Sequence, residues 1–434
     1  MSIPTFTGLQ TALSGLQASQ AAIDTTGENI SNANTPGYTR QVVNTGENAP
    51  MTISAVNQQG AGTQLGTGVD IASISRMRDQ FLDIQYRAQN TSTSNANTNA
   101  TQLQQVQTAV NEPSTNGLQS QLSAFWSSWS SLANDPTSQA AQEAVINAGQ
   151  TLAQTFNSVS SQMSTVQSQA GQQYATLTGA TGQVQQDASQ IATLNGQIAA
   201  ATSAGQTPNT LLDQRDQLLD DLSGLAQVSV TNQSNGSVTV NFGDAATPLI
   251  NGTTVTWPQT LTSAAGGQLG ALLNLSSSSG PIGQDVSSLD NVASEVISSV
   301  NALQPSNPFF SGTSASTIAV SATASTIQTS SSSTSGADLA QSVANLSGGS
   351  ADQSYAAFVA QIGNGVQAAQ STQSTAQSLL TAIGNQRQSV SGVSLDEEMT
   401  NLIQYQQAYQ ASARVMNTIN TVLNSLINTA GSGL

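Results

Sequence analysis

The chain has 434 residues, 7 Lys+Arg against 23 Asp+Glu, a net charge of -16, and neither cysteine nor histidine. Its seven cations are all arginines (Arg40, Arg76, Arg78, Arg87, Arg215, Arg387 and Arg414), so thiolate, imidazole and lysine chemistry are excluded, and disulfides with them. Scattered over so acidic a chain, these arginines cannot neutralise a run of phosphates, which argues against nucleic acid, and no apolar run approaches the roughly 18 residues of a membrane span.

Charged residues make up only 7 % and aromatics 4 %, where about 25 % charged is usual. Ser, Thr, Asn, Gln and Ala fill the difference, so any core must come from narrow apolar stripes. Nothing calls for a cofactor. The first residues lack a basic segment followed by an apolar one, so no cleavable secretory signal is expected.

In chain order, Ile3, Phe6, Leu9, Leu13, Leu16, Ile23 and Ile30 step by threes and fours through Gln20 and Gly27. Such a 3.5-residue repeat predicts a helix that supercoils on a partner. It should stop near Asn32, before a Thr35-Pro36-Gly37 turn with Pro at its second and Gly at its third position. Alternating runs at 51–57 and 67–74, around Gly60, Gly62 and Gly66, predict a small β-hairpin.

From 78 to 225 the periodicity is helical. Leu118, Leu122, Phe125, Trp129 and Leu132 form one stripe, with Trp126 alongside. The aromatic group suits a helix interface better than a carbohydrate platform. Thr207 as N-cap and Pro208 as first helical residue announce another helix, with Leu211, Leu212, Leu218, Leu219, Leu222 and Leu225 on one face and Arg215 inside the stripe. Arg215 reads as a structural cation facing a carboxylate on a neighbouring helix. Asp213, Asp216 and Asp220 share the opposite face and read as solvated acids, since no calcium-type loop accompanies them. Arg76, Arg78 and Arg87 read as partners in ion pairs within or between subunits.

Residues 227–257 change to period two around Asn235-Gly236, a hairpin signal. Helical periodicity returns at 286–303. Residues 305–336 are Ser/Thr-rich, with one strand-like run at Ile318–Val320 and a serine stretch at 330–335 that reads as loop or linker. The final segment opens on Ser394-Leu395-Asp396-Glu397, read as a capping box with Ser394 as N-cap and Glu397 reaching back. Leu402, Tyr405, Tyr409, Met416, Ile419, Leu423 and Leu426 then repeat the three-and-four stepping of the first helix.

A lone amphipathic helix with so narrow a stripe buries too little to hold itself. The terminal helices are therefore expected to be mobile in the monomer and ordered on assembly, with Phe6, Leu9, Leu13, Leu16, Ile23 and Ile30 and the later stripe from Leu402 to Leu426 forming the interface. The fold class expected is mainly α with a small β domain: a long helical bundle with paired N- and C-terminal coiled-coil helices and an inserted β-rich domain. The expected segments are 1–45 (N-terminal coiled-coil half), 46–225 (helical, with the hairpin), 226–262 (β-rich insert), 263–304 (helical return), 305–336 (outer segment), 337–393 (helical) and 394–434 (C-terminal coiled-coil half).

These ends carry a resemblance. Leu13-Ser14-Gly15-Leu16 followed by Asn29-Ile30-Ser31-Asn32-Ala33-Asn34-Thr35-Pro36-Gly37-Tyr38 resembles the N-terminal signature of bacterial flagellar rod, hook and hook-associated proteins. The extension through Arg40, the stretch Leu211–Leu218 with Asp213, Arg215 and Asp216, and Ser391–Glu398 resemble the hook-associated (FlgK) family that stands first of two at the hook–filament junction. The resemblance covers 1–275 and 355–434. It implies a non-enzymatic extracellular component of the flagellum, exported without a cleaved signal through the type III apparatus. Such a protein forms a ring-like homo-oligomer joining hook to filament, its terminal helices lining the inner tube. Implied partners are copies of itself, the hook protein, the second junction protein and a cytoplasmic export chaperone. The chaperone would hold the C-terminal helix along Leu402, Tyr405, Tyr409, Met416 and Ile419. The large β insertion of longer relatives after Phe309-Phe310 is nearly absent here. Alternatives are another flagellar axial protein of hook or rod type, or a secreted carbohydrate-active protein using Glu397 and Glu398.

Overall fold

The computed structural model describes residues 6–53, 63–332 and 336–431. Ile3, Gly60, Gly62, residues 54–57 of the first expected strand and the end of the serine stretch therefore lie outside the described residues. Helix α1 (Thr7–Ser31) stops where the sequence predicts, with Asn32 as C-cap donating to the Glu28 carbonyl and Ala33 N–H to that of Ile30. The turn that follows has the expected form. Tyr38 N–H donates to the Thr35 carbonyl at 3.2 Å, and Gly37 takes φ +80°, the left-handed value that the third position of a type II turn requires.

The hairpin exists, but its strands pair differently from expectation. β4 (Val69–Arg76) pairs antiparallel with β1 (Gln41–Glu47), and only short β2 (Met51–Ile53) and β3 (Thr63–Leu65) pair within it. β1 escapes a period-two search because Val42 and Val43 are adjacent, and a register shift between Asn44 and Thr45 interrupts the ladder.

The body is built from α2 (Gln80–Val110), α3 (Leu118–Asn134), α4 (Gln139–Thr178), α5 (Gln183–Ser203) and α6 (Asn209–Leu225). The later elements β5 (Val228–Asn232), β6 (Val238–Phe242), β7 (Ile250–Asn251), β8 (Thr254–Val255), α7 (Gly267–Ser276), α8 (Pro281–Ala302), β9 (Phe310–Ser311), β10 (Ala319–Val320), α9 (Asp338–Ala344) and α10 (Ser350–Ser391) complete it, and α11 (Leu395–Gly431) closes the chain. Among the described residues two apolar cores result. One gathers the α3 stripe, including Phe125, Trp126 and Trp129, against α4, α8, α9 and α10. The other packs α5, α6 and α7 on the four-stranded antiparallel sheet β5-β6-β7-β8, whose first turn has Gly236 at φ +85°. Mainly α with a small β domain is what the chain forms.

One local expectation needs correction. Pro208 sits before α6 with ψ 65°, outside helical geometry, so the helix starts at Asn209 and Thr207 is one residue too early to cap it. In the Ser/Thr-rich segment the expected strand-like run appears as β10, and the part before the serine stretch packs into the first core. Phe309 and Phe310 are fully buried, the Phe309 ring lies 5.5 Å from Phe125 and 5.4 Å from Trp129, and β9 pairs with β10. Phe309, Phe310, Ala315, Ile318, Ala322 and Ile327 turn inward, while hydroxyls such as Thr317 Oγ1 satisfy the turn amides of Thr313 and Ser314. Composition averages over the segment and hides this division.

Candidate assembly surface and the polar joint behind it

α1 and α11 pack along each other antiparallel, apart from both apolar cores, to which neither helix contributes. The facing pairs define the register. A Cβ added at Gly8 would lie 3.2 Å from Ile419 Cδ1, and one at Gly15 would lie 3.8 Å from Ser412 Cβ. Asn29 Nδ2 donates to Glu398 Oε2 at 3.0 Å. Each step of seven down α1 thus meets a step of seven up α11, and the same register sets Tyr405 opposite Ala22. The seam of α1 runs through Gly8, Ala12, Gly15, Ser19, Ala22, Thr26 and Asn29, and its members from Ala12 onward are buried except Gly15.

That seam lies one residue away from the apolar heptad singled out in the sequence. Leu9, Leu16, Ile23 and Ile30 are only half-buried, whereas Phe6 is 64 % and Leu13 45 % exposed. On α11, Leu402, Tyr405, Met416, Ile419 and Leu423 are half-buried, while Tyr409 and Leu426 are exposed. Ile403, Val415, Val422 and Ile427 add further exposed apolar side chains that the stripe did not include. Small residues on α1 receive the α11 side chains that face them, Ile419 on Gly8 and Ser412 on Gly15, and leave the larger apolar residues of α1 outside the seam.

At the base of this pair, polar groups replace an apolar core. Asn29, 1 % exposed, also donates to the Gln41 carbonyl at 2.9 Å and accepts from Tyr38 O–H at 2.8 Å and Gln41 N–H at 2.9 Å. Its hydrogen-bonding capacity is filled. Arg40 Nε donates to Glu398 Oε1 at 2.7 Å and Nη2 to Glu397 Oε1 at 2.9 Å. Burial works against the Arg40 charge, but Glu397 and Glu398 outweigh it and raise its pKa. Ser394 does stand just before α11, yet Glu397 reaches out to Arg40 instead of back to the Ser394 amide, so the expected capping box does not form. Burial, with Glu28 and Asp213 nearby, raises the Tyr38 pKa. Thr35 Oγ1 bonds Asn32 Oδ1 at 3.2 Å and holds the motif loop.

Beyond lies an ion cluster that joins four elements. Arg76 Nη1 donates to Asp213 at 2.7 Å and Asp216 at 2.9 Å. Arg78 bonds Asp83 at 2.7 Å and Asp216 at 3.0 Å, and Arg87 bonds Asp220 at 2.8 Å and Asp216 at 3.2 Å. Arg387 of α10 bonds Asp220 at 2.6 Å and stacks on Tyr86, 3.9 Å from the ring centroid. The acids expected on a solvated face are in fact the centre of this cluster. Their spacing and the arginine concentration were both visible in the sequence, but their meeting needs β4 and α2 to pass over α6. Asp83 and Arg387 gave no such signal. Burial pushes the Asp216 pKa up, and Arg78, Arg76 and Arg87 more than reverse this, leaving it lowered.

Arg215 points the other way, into the second core. It donates from Nη1 to Gly236 O at 2.8 Å and Asn195 Oδ1 at 3.1 Å, not to a carboxylate as expected. Burial lowers its pKa to about 10, Arg76, Arg87 and Arg78 adding to the fall. It thus ties α6 to α5 and the sheet turn. A groove of about 660 Å³ runs between the Tyr38 turn, α5 and α6. Among the described residues no group of three or more acids could hold a metal ion, and no helix is long and apolar enough to cross a membrane.

Comparison with known proteins follows this geometry. Residues 103–264 match the family model of the flagellar hook-associated protein FlgK helical domain. Residues 385–429 match the flagellar basal body rod FlgEFG protein C-terminal family, and 9–39 the flagella basal body rod protein family. Flagellar hook-associated protein 1 of Bacillus subtilis (strain 168) is 32 % identical over 510 positions, covering 99 % of both chains. The protein of that name from Escherichia coli (strain K12) is 25 % identical, covering 97 % of this chain and 99 % of the relative. A solved structure described as the flagellar hook junction protein FlgK from Burkholderia pseudomallei aligns at 29 % identity and TM-score 0.46, over 52 % of this chain and 46 % of that one. Aligned end to end with such a relative, and carrying rod-type motifs on the two helices that pair, the chain belongs to the flagellar hook-associated protein 1 (FlgK) family.

Proposed function

We propose that this protein is a non-enzymatic structural subunit of the bacterial flagellum that joins hook to filament by self-assembly through α1 and α11. The observation that carries the reading is the surplus of apolar side chains on that pair: Phe6, Leu13, Tyr409, Val415, Val422 and Leu426 remain exposed. The described helices around them carry only Asp24 and Glu28 on α1 and, beyond the first turn of α11, Arg414. Copies can therefore pack side by side with little like-charge repulsion while covering the exposed apolar surface.

The proposed partners are further copies in a ring, the hook protein and the second junction protein. A cytoplasmic chaperone would hold α11 along Leu402, Tyr405, Tyr409, Met416 and Ile419 before α1 covers that face. The subunit would act outside the cell after export without a cleaved signal. The seven-segment division of the chain is kept with this reading: 1–45 and 394–434 would assemble, and the remainder would project outward. Deletion followed by electron microscopy of the cell surface tests it. Hooks without filaments and flagellin shed to the medium are expected, and intact filaments would refute the junction role.

A further inference from the structure

We propose that Asn29 and Glu398 are the register pin of the terminal helix pair, the groups that select one antiparallel alignment of α1 on α11 from several of nearly equal fit. The seam itself does not select. Its sevenfold positions on α1 are Gly8, Gly15 and Ala22, and those facing them on α11 are Ile419, Ser412 and Tyr405. Slid by one heptad, two of these three α11 side chains would again meet a glycine or alanine, Ile419 on Gly15 and Ser412 on Ala22 one way, Ser412 on Gly8 and Tyr405 on Gly15 the other, so shape leaves the shifted alignments available. The fourth pair breaks the degeneracy. Asn29 and Glu398 are 1 % and 2 % exposed and bond each other at 3.0 Å. A shift one way would set Glu398 against Ala22, a buried carboxylate without its donor, and a shift the other way would set Asn29 against Tyr405. A buried polar group in an otherwise apolar seam specifies register in this way in coiled coils.

Two features make the pin directional. Asn29 is itself held by the Tyr38 hydroxyl and by both backbone groups of Gln41, and Glu398 by Arg40, all from the loop and strand that follow α1 in the same chain. A terminal helix of a neighbouring copy could supply the seam but would have to enter this loop to supply the pin. The pin thus favours pairing within the chain over exchange of α11 between copies. Only that last consequence rests on the self-assembly reading.

The absence of cysteine makes the test clean. The pair Gly15→Cys with Ser412→Cys places its Cβ atoms 3.8 Å apart, close to the disulfide mean of about 3.8 Å, whereas Gly15→Cys with Ile419→Cys reports a one-heptad shift. Both are oxidised in the monomer, in the parent background and with Asn29→Ala plus Glu398→Ala. Alanine already occupies seam positions 12 and 22, so the double variant adds no bulk. In the parent, the native pair should close at least tenfold faster than the shifted one. In the double variant the ratio should fall to within about threefold, and disulfide-linked dimers should form. A native-to-shifted ratio that survives the double variant would overturn the assignment, as would a parent in which both pairs close equally. The readout is made before assembly, so a failed junction assay would leave it standing.

Discussion

Replacing Asp216 by Asn removes the central charge of the ion cluster without changing its volume. The carboxylate accepts from Arg76, Arg78 and Arg87 at 2.9, 3.0 and 3.2 Å, and its side chain is 14 % exposed. Breaking a buried ionic network by removing one member costs about 3–5 kcal/mol, because the remaining charges lose their compensation. The retained amide oxygen still accepts one hydrogen bond, which sets the expectation near the lower end, about 3 kcal/mol. For a body of this size that lowers Tm by roughly 4 °C. The pH dependence provides a second check. The folded pKa of Asp216 lies below its ordinary value of 3.8, so its contribution is present above that value and is lost as pH falls through the folded one. The difference between parent and variant should be flat from pH 5 to 8 and shrink on acidification below about 4. Thermal and urea unfolding at several pH values measure it. A Tm within about 1 °C of the parent at pH 7 would refute the argument, as would a difference that grows on acidification.

Asp187 is the opposite case: it is buried, its Oδ2 has no partner, and burial followed by the nearby Asp221 charge raises its pKa to about 6. Asp187→Asn should therefore stabilise the protein by about 1–3 kcal/mol at pH 8, the gain fading below pH 4, as unfolding across that range would show. Phe309→Ala should cost about 3–5 kcal/mol in urea unfolding, since the ring is fully buried against Phe125 and Trp129; a loss under 1 kcal/mol would refute that packing. Gly15→Val would drive a branched side chain into Ser412, whose Oγ lies 3.0 Å from the added Cβ. It should separate α1 from α11 and abolish assembly while leaving the body's thermal transition in place, as calorimetry and sedimentation would report.

Long periodic stretches made most of the helices legible, because 3.6-residue spacing of apolar side chains is a local property. The α3 stripe, the end of α1 at Asn32, the type II turn and the Asn235-Gly236 hairpin all follow from neighbours in sequence. The interface was harder. Residues such as Leu13 and Leu426 stand out for their apolarity, but burial of α1 follows the small seam from Gly8 to Asn29, which carries almost no hydropathy signal. Among the described residues, Glu398 looked like one acid in a first-turn run until Asn29 and Arg40 met it.

What this sequence determined by itself is its chemistry and its local structure: no cysteine, histidine or lysine, nearly uncharged terminal helices, and the turns that end them. Tertiary structure decided which groups meet across hundreds of residues. Asp213, Asp216 and Asp220 present the same pattern whether they face water or arginine, and only the passage of β4, α2 and α10 over α6 makes them a cluster. Phe309 and Phe310 are likewise indistinguishable from loop aromatics until the segment folds back onto α3. Periodicity reports which face of an element is apolar, whereas desolvation and charge pairing depend on what the rest of the chain brings to that face.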